Sequence, residues 1–292
     1  MIGVLSGLLL VPCAAALQSS LPTPVGPFCP FRSDFCAGDA IDAKMAELSE
    51  MAPELSRRVA ALTLDMQMGT PPKPETIGSV AKDMRRARDV HREVTSRLTG
   101  SVDFQAREYA ALTAAALERR GGDEKLLEKM IDLQIEGMEA FAAGRPPPMP
   151  TAEEQKAIEA MTQSGGAPPT LLSQPAPVTA LPFADDSAAL RSDVVREEFA
   201  ALTADHRGLI EMGADFGSWD GFGQVMFLDR VDAIEERWNV FLGRFKLLGD
   251  LNPEFLEQTE AFLAGIGLST EEYLELHQQS HARLREAAER GA

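Results

Sequence analysis

Residues 227–248 read Phe-Leu-Asp-Arg-Val-Asp-Ala-Ile-Glu-Glu-Arg-Trp-Asn-Val-Phe-Leu-Gly-Arg-Phe-Lys-Leu-Leu. Within them Phe227, Val231, Ile234, Trp238, Phe241, Phe245 and Leu248 recur at alternating steps of four and three. That alternation returns each apolar side chain to one stripe of an α-helix. A stripe of this length needs an equally long partner helix to cover it.

The partner stands just upstream. From Ser192 onward, Val195, Phe199, Leu202, His206 and Leu209 keep the same alternation, and Gly217-Ser218-Trp219-Asp220-Gly221 supplies the turn between the two helices. Gly249 is placed to stop the second helix, since glycine tolerates the left-handed conformation in which helices end. Asn252 before Pro253 offers an N-cap and first-turn proline for a third helix, with Gly265 and Gly267 at its end. Ser269 and Glu272 form a capping box for a fourth, which carries Tyr273, Leu274, His277 and Leu284.

The N-terminal half repeats the pattern in smaller residues. Ile41, Met45, Leu48, Ala52, Leu55, Val59, Leu62 and Met66 alternate by four and three, with Pro53 predicting a kink or a fresh helix start. Gly69 and the prolines at 71, 72 and 74 end that helix. A second stripe follows at Val80, Met84, Ala87, His91, Val94 and Leu98 up to Gly100, then two shorter helices at 103–119 and 123–143, with Asp123 as an N-cap. A shift of 147 lays Leu48 to Leu62 on Val195 to Leu209 and Val80 to Leu98 on Phe227 to Phe245; a shift of 146 then lays Asp123 on Ser269. The pattern predicts an all-α protein with an internal duplication. Each copy is a long antiparallel helical hairpin plus two shorter helices, and the copy with Phe, Trp and Ile in its stripe is expected to pack better. The domain boundaries are a targeting leader at 1–40, a first helical unit at 41–143, a Pro-rich flexible linker at 144–191 and a second helical unit at 192–290. One short helix is expected inside the linker, where Thr151 and Glu154 form a capping box.

Composition agrees with helix throughout: 45% of residues are hydrophobic, only 6% are aromatic, and β-branched runs are absent. The net charge of −17 repels phosphate backbones and anionic headgroups, so no nucleic-acid partner and no membrane-surface role are expected. Arg85, Arg86, Arg88, Arg92 and Arg97 collect on one helix and are read as a solvated face paired with Asp83, Asp89 and Glu93. Cys13, Cys29 and Cys36 all precede the helical body and have no metal-ligand spacing. Ile2 to Leu10, followed by Ala14, Ala15 and Ala16, has the form of a signal peptide, and 18–40 is acid-poor and rich in Ser and Pro like a transit peptide. In tandem they resemble the bipartite plastid leader of algae with secondary plastids. The expected destination is the plastid stroma, with secretion as the alternative and no membrane-spanning segment in the mature protein.

The C-terminal half also resembles a family. Val194-Val195-Arg196-Glu197-Glu198, Gly213-Ala214-Asp215-Phe216-Gly217, Arg237 to Phe245 (Arg-Trp-Asn-Val-Phe-Leu-Gly-Arg-Phe) and Gly267 to Glu272 (Gly-Leu-Ser-Thr-Glu-Glu) look like the domain-of-unknown-function family numbered eighteen-twenty-five. Its members are short helical proteins of cyanobacteria and plastids. The resemblance implies a cyanobacterial module, doubled here, and implies no activity or catalytic residue.

Candidate chemistry is sparse. His277 and His281 lie one helical turn apart, but a metal site would need two or more further ligands converging on them. Glu197-Glu198 and Glu235-Glu236 are read as solvated acids, and His91 and His206 as core or boundary histidines. Phosphate loops, nucleophile elbows and available cysteine nucleophiles are missing from the helical body, and Asp215 and Asp220 lack the spacing of a calcium loop. No catalytic residue, cofactor or metal is therefore expected. Phe216, Trp219 and Phe222 around the turn are the candidate partner-binding residues, because aromatic side chains dominate interface hot spots. Otherwise they cap the helical core as a hydrophobic staple. The expected function is non-catalytic protein–protein interaction or assembly, in the setting of the photosynthetic apparatus. The alternative is an enzyme or cofactor-binding helical bundle.

Overall fold

The computed structural model describes residues 39–164 and 178–291, apart from 71, 120, 185 and 267. Residues 1–38, all but the last two of the leader expected at 1–40, and the middle of the Pro-rich stretch fall outside these residues. The described chain is all-helical, without a β-strand. Its elements are α1 (Asp39–Gln67), α2 (Pro74–Thr99), α3 (Phe104–Arg119), α4 (Glu124–Ala142), α5 (Ala152–Ser164), α6 (Asp193–Gly213), α7 (Gly221–Leu248), α8 (Pro253–Ile266) and α9 (Thr270–Gly291). Short 3-10 turns at Ala189–Arg191 and Phe216–Ser218 precede α6 and α7.

Contacts divide the chain into two units, and the division crosses α3. One unit takes 39–97 and 113–164; the other takes 98–112 and 178–291. Residues 98–112, which the sequence pattern groups with 41–143, thus pack with the C-terminal elements.

In the first unit the stripe residues of α1 and α2 are closed off: Leu48, Leu55, Val59, Val80, Met84, Ala87 and Val94 are all buried. Polar pairs beside the stripe show the direction of the two helices. Arg58 meets Ser79 (2.9 Å) and Asp83, Arg86 meets Glu47 (2.7 Å), and Lys44 meets Glu93 (3.5 Å), so the helices run antiparallel. The arginine-rich face of α2 also reaches across to α4, through Arg85 to Glu139 (2.5 Å), Arg92 to Glu128 (2.7 Å) and Arg88 to Asp132. These cations are tied largely to acids on neighbouring helices, a denser pairing than the local acids of α2 alone would give. Pro53 sits inside α1 without starting a new helix. The capping box expected at Thr151 and Glu154 forms reciprocally at the start of α5 (2.7 and 3.2 Å).

In the second unit α7 packs on α6 and α9. Arg237 meets Asp205 (2.8 Å), Arg230 lies beside Met212, and Phe199 lies against Trp238 and Phe241, so α6 and α7 are also antiparallel. All the stripe residues of α7 from Phe227 to Phe245 are buried, whereas Leu248 is exposed. Leu248 is the last helical residue, and at Gly249 the backbone turns left-handed (φ 73°), off the line of the stripe. Asp220 caps α7 by accepting from the Gly223 amide (2.8 Å). Residues 178–191, read as linker, are docked instead. Phe183 stands edge-on to Phe199, Phe241 and Phe245, while Asn252 holds the backbone through its amide to Pro182 O (2.8 Å) and its Nδ2 to Leu181 O (3.1 Å). One buried phenylalanine and a few backbone hydrogen bonds order a stretch whose composition alone reads as flexible.

Candidate functional site

The three aromatic residues of the turn part company. Phe216 is 1% exposed and packs against Phe104 and Phe227 (ring centroids 5.4 and 5.5 Å). Trp219 is half-buried over Phe216 and Phe227. Phe222 is 75% exposed. The turn itself is anchored from below: the Gly217 amide donates to Val102 O (2.7 Å), and the Arg107 guanidinium lies over the Phe216 ring (5.9 Å). A Cβ on Gly217 would come within 2.8 Å of the Val102 Cα, so the residue is held to glycine by proximity.

A second constellation lies deeper in the same unit. His277 and His281 point from α9 toward α7 and toward the first half of α3, which contributes Glu108. His281 Nε2 stands 3.1 Å from Glu108 Oε1, and its Nδ1 stands 2.6 Å from Asp232 Oδ1. His281 and Glu108 are each 1% exposed. Burial alone would depress the His281 pKa, but the hydrogen bonds to Asp232 and Glu108 outweigh it and lift the value to about 10. His281 is therefore an imidazolium clamped between two carboxylates. Asp232 gains a second cation in Arg285, also paired with Asp229 (3.0 Å). Burial pushes the Asp232 carboxyl up, and the His281 and Arg285 hydrogen bonds bring it below its usual range.

His277 completes the group. Its Nε2 stands 2.6 Å from the Tyr273 hydroxyl one turn earlier, which fixes the ring and turns Nδ1 toward Glu108 Oε1 at 3.6 Å. That separation is too long for a hydrogen bond, and Nδ1 is buried without a hydrogen-bond partner. Glu235 of α7 adds a carboxylate, and one donor atom from each of Glu108, Glu235, His277 and His281 lies within 4.8 Å of the others.

The sequence shows the histidine pair but not its surroundings. Glu235 belongs to an acid pair read as solvated; the structure leaves Glu236 exposed and half-buries Glu235, one position from the stripe residue Ile234 and facing α9. Glu108 lies 173 residues from His281, and Asp232 and Tyr273 have no spacing that singles them out. His91 and His206 are buried at stripe positions, as the helical period requires.

Fold and cluster together define an all-helical unit with an ionic centre of histidines and carboxylates closed inside it. Residues 187–288 match the family DUF1825, described as a domain of unknown function, as the motifs of the C-terminal half imply. Glu108 lies outside the matched residues. The curated proteins and the solved structures yield no match to the chain.

Proposed function

We propose that this chain is a non-catalytic, stromal plastid protein that acts by binding another protein, in the assembly or upkeep of the photosynthetic apparatus. The observation that carries the reading is Phe222, a large aromatic side chain 75% exposed beside a turn whose other aromatics are anchored in the core. Met226, one turn further along α7, and Met212 at the end of α6 are also exposed. An apolar anchor on a pre-ordered support loses little conformational entropy on docking. Among the described residues no helix is long and apolar enough to cross a membrane. The leader-like composition of 1–40 supports the stromal setting.

An origin by duplication fits the same reading and is proposed with it. The starts of α2 at 74 and α7 at 221 differ by 147, and those of α4 at 124 and α9 at 270 differ by 146, in line with the register of the stripes. Two copies of a helical hairpin would let one copy keep its exposed turn while the other diverged.

Affinity capture from plastid extract tests the interaction. The wild-type chain is expected to retain a reproducible protein partner, Phe222→Asp to lose it, and Val194→Asp, at another exposed apolar site, to keep it. Equal capture by wild type and Phe222→Asp, or no reproducible partner, overturns the reading.

A further inference from the structure

We propose that Glu108, Glu235, His277 and His281 bind a divalent first-row transition metal ion, of the zinc or ferrous iron kind, inside the C-terminal unit. The proposal goes beyond the partner-binding reading and does not depend on it.

Geometry carries it first. Bonds of about 2.0–2.1 Å to imidazole nitrogen and carboxylate oxygen put neighbouring ligands of a tetrahedral ion about 3.3 Å apart. Two edges of the cluster bracket that value: His281 Nε2 to Glu108 Oε1 at 3.1 Å and His277 Nδ1 to Glu108 Oε1 at 3.6 Å. One donor atom from each of the four side chains lies within 4.8 Å of the others, so all four converge on a single point.

Support around the ligands is the second observation. Metal-binding histidines characteristically commit the other ring nitrogen to a carboxylate or similar group, which fixes ring and tautomer. Both histidines do so here, His281 Nδ1 to Asp232 (2.6 Å) and His277 Nε2 to the Tyr273 hydroxyl (2.6 Å). Asp232 is in turn held by Arg285.

The third observation sets the site apart from a purely ionic lock. The two ring nitrogens of His281 reach Asp232 and Glu108 with no help from His277. Yet the His277 side chain is 9% exposed, and its Nδ1 is turned into the cluster with no hydrogen-bond partner. With the Nε2 proton donated to Tyr273, Nδ1 presents a lone pair to an ion. On binding, the ion replaces the Nε2 proton of His281, which leaves to solvent, while Nδ1–H stays on Asp232; no electrons are transferred. Two imidazoles with two carboxylates suit zinc, iron and manganese. They offer no thiolate for a soft ion and too few oxygens for calcium.

The full chain, purified and stripped with a chelator, is titrated with Zn²⁺ by calorimetry and with Co²⁺ by visible absorption. The wild type is expected to take up a single equivalent of either ion, and the bound Co²⁺ to show the intense bands of a low-coordinate site. Glu108→Gln and His277→Gln are expected to weaken binding by about ten-fold or more. Phe222→Asp should leave it unchanged. X-ray absorption of the zinc-loaded wild type should show imidazole scattering, a readout that needs no variant to fold. Failure of the wild type to bind a stoichiometric ion, a zinc shell without imidazole, or a folded His277→Gln variant that binds as tightly as wild type each overturns the proposal.

Discussion

Trp238 is the largest side chain closed off in the described core, and its indole Nε1 is buried without a hydrogen-bond partner. What holds the residue is ring contact: Phe199 lies edge-on at 5.8 Å and Phe241 at 6.2 Å. Two substitutions separate packing from polarity. Trp238→Ala removes the rings' common neighbour and leaves a cavity, with an expected cost of about 3–5 kcal/mol. Trp238→Phe gives up ring volume but also a buried donor lacking an acceptor, and the two partly offset, so about 1–2 kcal/mol is expected. Urea unfolding followed by far-ultraviolet circular dichroism measures both. A loss as large for phenylalanine as for alanine would mean that the indole nitrogen does have a partner.

At the scale of elements, helices were legible because their burial is periodic. The stripe of α7 declares itself through six buried residues at alternating steps, and Asp123, Asn252 and the Ser269–Glu272 box mark helix starts where the structure has them. Proline was less decisive, since α1 runs through Pro53. The histidine and carboxylate cluster was hidden for a physical reason. Its members come from three helices, and the polar side of a helix has no period that tells an inward acid such as Glu235 from a solvated one such as Glu236. Capping also allows a prediction for the turn. Asp220 carries no interface chemistry of its own but accepts the Gly223 amide at the start of the 28-residue α7. Asp220→Ala is expected to cost about 1 kcal/mol, read as a shift in the urea midpoint, while Asp220→Ser or Asp220→Asn keeps most of the stability.

Across the whole molecule the governing quantity is charge. With a net charge of −17, acidification toward pH 5.5 relieves self-repulsion and, taken alone, stabilises the folded chain. His91 works against that. It is 4% exposed on the α2 stripe, where burial depresses its pKa and the nearby charge of Glu128 only partly restores it. In the unfolded chain the same imidazole titrates near its ordinary value, about 6.5. Between the two values the unfolded chain holds the extra proton, so stability falls as pH falls, by up to about 1.4 kcal/mol per pH unit. The contribution is fully present above about pH 6.5 and is lost as pH drops through the folded value. His91→Gln removes this linkage but keeps the charge of the surface, so the two chains should differ in slope. Between about pH 7.5 and about pH 5.5 the wild type should lose stability relative to His91→Gln, as measured by urea midpoints at each pH. Parallel profiles would show that His91 takes up its proton equally in the folded and unfolded chains, and that it adds nothing to the acid response.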